Sequence, residues 1–175
     1  MTETARPRPR WPTVAVPIGL VVLALLAGAA ALGLFLQARV RPRLPREVAA
    51  VLAGADTFEL LSLRPGPIER HRPDTFYGWV VLGRAAVPGD TRAEVLAATN
   101  EGIAHGRGMS LCFEPRHGIH AVRQGHTADL VICFHCHQTQ VYLDGRELDT
   151  LPMTDAPREL LDRTLNRTGV WLGMD

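Results

Sequence analysis

From Thr13 to Leu36 the chain reads TVAVPIGLVVLALLAGAAALGLFL, 24 residues without a charge, and no other stretch narrows the available architectures so far. A helix of that length rises about 36 Å at about 1.5 Å per residue, enough to cross a hydrocarbon core about 30 Å thick. Its seven Leu, four Val, one Ile and one Phe contribute on the order of −4 to −8 kcal/mol toward insertion. Pro17 falls in the first turns, where a lost backbone hydrogen bond costs least, and Trp11 stands where an amphipathic ring meets the interface. A cleaved signal peptide has an apolar core of only about 7 to 15 residues and a small-x-small site after it. Gln37, Ala38 and Arg39 offer no such site, and no Cys follows to accept a lipid. The sequence therefore predicts a basic tail over 1–12, an uncleaved transmembrane helix over 13–36 and a single-pass protein of the cell membrane. Arg6, Arg8 and Arg10 on one side nearly balance Arg39, Arg41, Arg43 and Arg46 on the other. The expected orientation, with the following domain extracytoplasmic, rests on the short N-terminal tail staying where it is made.

Residues 39–46 (RVRPRLPR) carry four Arg and two Pro, a composition that resists packing, and 37–46 is read as a stiff juxtamembrane linker. Charge is divided unevenly. Residues 1–46 hold seven Arg and one acid (+6), and residues 47–175 hold twelve Arg and seventeen acids (−5). A domain so balanced has no electrostatic footprint for a phosphate backbone, which excludes nucleic acid as its partner. A bilayer is the expected partner, and a protein partner is left open.

Residues 47–175 are enough for one ordinary domain with its own core. Val48, Val51 and Leu52 share a helix face, and Gly54 is placed for a left-handed cap. Residues 56–63 (DTFELLSL) and 76–82 (FYGWVVL) read as strands. Asp90 is a candidate N-cap for a helix over 91–104, with Val95, Leu96, Thr99 and Ile103 facing inward. Residues 109–113 and 119–122 suggest a hairpin, and 129–134 (DLVICF) is the most apolar short run, expected at the centre of the sheet. Residues 138–143 follow, Asp144-Gly145 is a tight-turn signal, and Pro157 opens a last helix closed by Gly169 with Val170 beyond it. The fold class expected is α+β, a mainly antiparallel sheet with helices packed on one face.

Candidate chemistry is confined to residues 110–138, which hold all three cysteines and five of the seven histidines. Cys133-Phe-His-Cys136 has the spacer of half a zinc knuckle, which Cys112, His135 or His137, or else His117, would have to complete. That reading requires the strand to end near Phe134. A strand that continues instead puts His135 and His137 on one face as an H-x-H pair, a different zinc site. The adopted reading is that Cys112 and Cys133 are small buried hydrophobes on neighbouring strands. A disulfide from Cys112 to Cys133 or Cys136 is the third possibility, favoured by export. No helix follows the C-x-x-C to lower a thiol pKa as a dithiol oxidoreductase requires. A Cys112 nucleophile with His117 or His120 lacks an evident orienting Asp or Asn. Arg116 beside His117 offers a guanidinium and an imidazole to an anion.

The segments CFEPRHGIHAV at 112–122, DLVICFHCHQTQVY at 129–142 and FYGWVVLG at 76–83 resemble a bacterial family of small proteins that join an N-terminal membrane or lipid signal to one domain. The resemblance spans about residues 56–169 and implies anchoring but no activity. The function expected is a membrane-anchored interaction or sensing module without catalysis and without a cofactor. A zinc protein or metal-dependent hydrolase using Cys112, Cys133, His135, Cys136 and His137 is the alternative.

Overall fold

The computed structural model describes residues 18–39, 41–68 and 73–172. The expected tail over 1–12 with Trp11, as well as Pro17 and His71, lies outside them. The chain forms two units, Met1–Val40 and Arg41–Asp175. In the first, helix α1 runs over Ile18–Arg39, 22 residues, and its side chains over 19–33 are all exposed. No helix among the described residues is long and apolar enough to cross a membrane, the described side chains of α1 covering only 19–33.

The second unit is α+β. Helix α2 (Arg46–Ala53) precedes strands β1 (Thr57–Leu63), β2 (Thr75–Phe76) and β3 (Trp79–Ala86). Helix α3 (Gly89–His105) then leads to β4 (His117–Arg123), β5 (His126–Cys133), β6 (Gln138–Leu143), β7 (Arg146–Pro152) and helix α4 (Arg158–Arg167). The strands make one curled antiparallel sheet in the order β2-β3-β1-β4-β5-β6-β7. Strand residues alternate between its faces. Phe58, Leu60, Ile119, Ala121, Leu130, Ile132 and Val141 join Val48, Leu52, Val95, Ile103, Leu161 and Leu165 of the three helices in the main core. Leu61, Leu63, Phe76, Trp79, Val131 and Tyr142 form a second cluster. Each fully buried Leu or Ile of the main core contributes about 1.5 to 3 kcal/mol.

Three hairpins close through two-residue loops whose residues both have positive φ: Tyr77-Gly78 (52° and 88°), Gln124-Gly125 (50° and 86°) and Asp144-Gly145 (49° and 78°). That conformation matches the right-handed twist of the flanking strands and favours Gly at its second position. The fourth hairpin, β5 to β6, has the four-residue loop 134–137, and it ends on His137 at φ 53° where no glycine stands.

Several expectations are corrected. Residues 76–82 are a hairpin, not one strand, because Tyr77-Gly78 turns the chain. Residues 109–113 are no strand: β4, which holds 119–122, already has β1 and β5 as neighbours, so the hairpin expected there has no place in the sheet. Gln138 Nε2 instead donates to the carbonyls of Ser110 (3.0 Å) and Cys112 (2.9 Å). Strand β7, unforeseen, is an edge strand with charged, exposed side chains at Arg146, Glu147 and Asp149. Gly54 has φ −100° rather than a left-handed cap. A Cβ there would meet the Arg123 guanidinium at 2.7 Å, and Arg123 Nη1 donates to Ala50 O (2.8 Å), so a cation satisfies the end of α2. Asp90 is not the cap of α3, whose N-cap is Pro88; its carboxylate lies in the first turn, where the helix dipole favours it. Leu44, inside the expected linker, is buried in the core.

Candidate functional site

Arg116 is fixed by the sheet on both sides: its N–H donates to Ile132 O (3.2 Å), and its carbonyl accepts from Leu63 N–H (2.8 Å). The next residue, His117, opens β4 with its ring toward the helices, on the face of Ile119 and Ala121. Helix α4 brings Asp162 to it, and His117 Nε2 donates to Asp162 Oδ1 at 2.7 Å. The other carboxylate oxygen lies 3.7 Å from Arg158 Nε. Burial pushes the Asp162 carboxyl upward, but the His117 hydrogen bond and the charges of His117 and Arg158 outweigh it, holding the acid below the ordinary carboxylate range. The Phe134 ring meets His117 edge-on, centroids 5.2 Å apart. His117 Nδ1 is buried without a protein partner. Opposite it in the ladder, Ser62 Oγ is also buried and unpartnered.

Arg116, His117, Phe134 and Arg158, with Glu114 and His135, line a cleft of about 370 Å³. They come from four separate places: the segment before β4, β4 itself, the β5–β6 turn and the start of α4. The turn is closed by a Cys133–Cys136 disulfide with Cα atoms 5.2 Å apart, in place of a bond from Cys112 to either. Cys136 N–H donates to Cys133 Sγ (3.2 Å). Glu114 braces both sulfurs, its N–H donating to Cys136 Sγ and its carbonyl oxygen lying beside Cys133 Sγ, each at 3.3 Å.

The five residues nominated as zinc ligands are therefore dispersed. Cys133 and Cys136 are bonded to each other, and Cys112 is free and exposed in a loop rather than buried on a strand. Strand β5 ends at Cys133, as a knuckle requires, but the H-x-H pair does not form. His135 lines this cleft, while His137 lies 3.9 Å from Asp155 and borders a separate hollow with His105, Arg107 and Met153. Among the described residues no group of three or more His, Cys, Asp or Glu is placed to hold a metal.

A second polar cluster lies on the opposite face of β4. His120 Nδ1 donates to Asp129 Oδ1 and Tyr77 Oη to Asp129 Oδ2, both at 2.6 Å. Tyr77 stacks on Tyr142 at 3.7 Å, and Phe76 stands edge-on to Tyr77 (4.9 Å) and His120 (6.3 Å). The Asp129 hydrogen bond raises the His120 pKa against an opposing effect of burial, with the charges of Asp129 and Glu59 adding to the rise and Arg84 opposing it. Burial, then Asp129, pushes the Tyr77 phenol far above its ordinary value. Burial with Glu147 pushes Tyr142 up to about 12.

The orienting acids that the sequence did not supply for His117 and His120 are thus Asp162 and Asp129. One signal was available for Asp129: a carboxylate in the most apolar strand must be paired when it is buried. Asp162 and Arg158 gave none, since they belong to a helix 45 and 41 positions from His117. Of the candidate hydroxyl and thiol groups for these imidazoles, Cys112 is exposed in a loop, and Ser62, across from His117, is fully buried. What lines the cleft is two Arg and two His side chains with Glu114 and Phe134, an arrangement suited to holding a ligand. No family model matches the sequence, and no curated protein or solved structure is similar to it.

Proposed function

We propose that the chain is a single-pass, membrane-anchored binding or sensing protein whose second unit takes a small ligand in the cleft between β4 and α4, without catalysing a reaction. The cleft carries this reading: polar groups from four chain segments meet in one concave space of about 370 Å³, within the usual range of small-molecule sites. The anchor rests on the uncharged run over 13–36 and on the apolar side chains all around α1, a pattern that belongs in an apolar surrounding. The Cys133–Cys136 disulfide favours an extracytoplasmic location, because such bonds persist in oxidising compartments.

Two measurements test the reading. Alkaline carbonate should leave the full chain in the membrane pellet; release into the supernatant removes the anchor. A small-molecule screen by thermal shift, repeated on His135→Trp, should give hits that the bulky side chain abolishes. Hits indifferent to that substitution would place binding elsewhere. The second reading, a zinc protein or metal-dependent hydrolase at Cys133, Cys136 and His135, is favoured by the end of β5 at Cys133 and opposed by the bonded sulfurs. About one equivalent of zinc in protein purified under reductant without added metal would restore it.

A further inference from the structure

We infer that the ligand of this cleft is an organic oxyanion, a phosphate or carboxylate joined to a flat apolar body, with Arg116 and Arg158 on its charged end and Phe134 against its body. The inference rests on the reading of the cleft as a ligand site. Four of its six lining side chains are Arg or His, and Glu114 is the sole carboxylate among them. Guanidinium groups present paired N–H donors that match the two oxygens of a carboxylate or phosphate. Arg158 opens α4, a ten-residue helix with no side-chain cap at its N-terminus, so the positive end of the helix dipole adds to the same field.

A separate observation concerns His117. It is nine-tenths buried and lines the cleft, yet only its Nε2 has a partner, Asp162, while Nδ1 has none. An unpaired buried ring nitrogen is costly, so a ligand group that reached Nδ1 would recover what the empty nitrogen costs. The volume of about 370 Å³ exceeds what a bare phosphate fills, and the edge-on Phe134 ring gives the surplus an apolar wall.

The experiment uses the full chain in detergent at fixed ionic strength, titrated calorimetrically with phenyl phosphate, benzoate, inorganic phosphate and benzyl alcohol. Phenyl phosphate and benzoate should bind, inorganic phosphate more weakly, and benzyl alcohol least. Arg158→Gln, a half-exposed first-turn position where the fold should survive, should weaken phenyl phosphate at least about tenfold. Arg116→Gln should do the same, and Glu114→Gln should tighten binding. Benzyl alcohol binding as well as phenyl phosphate, with His135→Trp abolishing both, would overturn the anion while leaving a ligand cleft intact. No binding by either aryl anion, or the same affinity in both Arg variants, would also sink the inference. The oxyanion could be free or carried on a lipid. Suppression of phenyl phosphate binding in nanodiscs of anionic phosphatidylglycerol, but not of phosphatidylcholine, identifies a headgroup, and equal binding in both identifies a free ligand.

Discussion

Strand β4 carries two His–Asp pairs three residues apart, and they are inverses of each other. His117 and Asp162 face the helices, with the imidazole buried (5% exposed side chain) and the carboxylate half out (28%). His120 and Asp129 face the other way, with the carboxylate buried (6%) and the imidazole half out (27%). The partner that is buried sets what the pair can do. A buried carboxylate must fill both oxygens, so Asp129 recruits Tyr77 as well and pins the β2–β3 turn to the sheet. A buried imidazole with an outer carboxylate is left with a spare nitrogen, and its acid is shared with Arg158 at the mouth of the cleft. The first arrangement serves stability and the second serves binding, although the residue types are the same.

The largest test of this contrast removes the buried acid. Asp129→Ala strands a phenol and an imidazole and should cost about 3 to 5 kcal/mol in urea or thermal unfolding. Asp162→Asn, at a position partly screened by solvent, should cost about 1 kcal/mol. Equal losses would dissolve the distinction. Between them lies the disulfide. Reduction by dithiothreitol, or Cys133→Ser with Cys136→Ser, should cost about 2 kcal/mol for so short a loop, whereas a chelator should change nothing. In imidazole NMR spectra, reduction should move the His117 signals and leave His120 in place, since only the former abuts the crosslinked turn. A shift of His120 alone would put the disulfide on the wrong side of the comparison.

The smallest effect is in pH, and here the pairs should separate at opposite ends of the scale. The His120 pKa is raised from 6.5 in the fold. Its contribution is fully present below that value and is lost as pH rises through the higher folded value. The Asp162 pKa is lowered from 3.8, so its contribution is present above that value and fades as pH falls through the lower folded one. His120→Gln should flatten the loss of thermal midpoint above neutrality and leave the acid limb unchanged. Asp162→Asn should do the reverse. If His120→Gln altered only the acid limb, the assignment of roles would fail.

Much of the fold was legible where local chemistry decides. Val48, Val51 and Leu52 lie on the inner face of α2, 129–133 falls within a buried interior strand, and Asp144-Gly145 makes the turn its residues require. Tyr77-Gly78 was obscured because the aromatic and β-branched neighbours that favour a strand stand on both sides of the turn. Strand β7 was obscured for the opposite reason: only Leu151 of its seven residues is buried, so its sequence has no apolar alternation to detect. Residues 109–113 looked like a strand by composition, but Met109 and Leu111 are exposed, and a strand without a partner has no reason to form. At the site, the histidines marked the place. Their partners come from long-range packing, Asp162 from a helix and Tyr77 from a turn, and no spacing rule reaches that far.

The two ends of the sheet bear on a problem of coexistence. An open sheet exposes a row of unpaired amides at each edge, and tethering many copies to one surface would invite those rows to join. One edge strand, β2, is only two residues long. The other, β7, carries Arg146, Glu147 and Asp149, skips register opposite Val141 and Tyr142, and ends at Pro152. A second copy approaching β7 meets charge, a kink and a terminal proline, so crowding of the folded protein is resisted at that edge, whereas β2 covers β3 only at Trp79 and Val80.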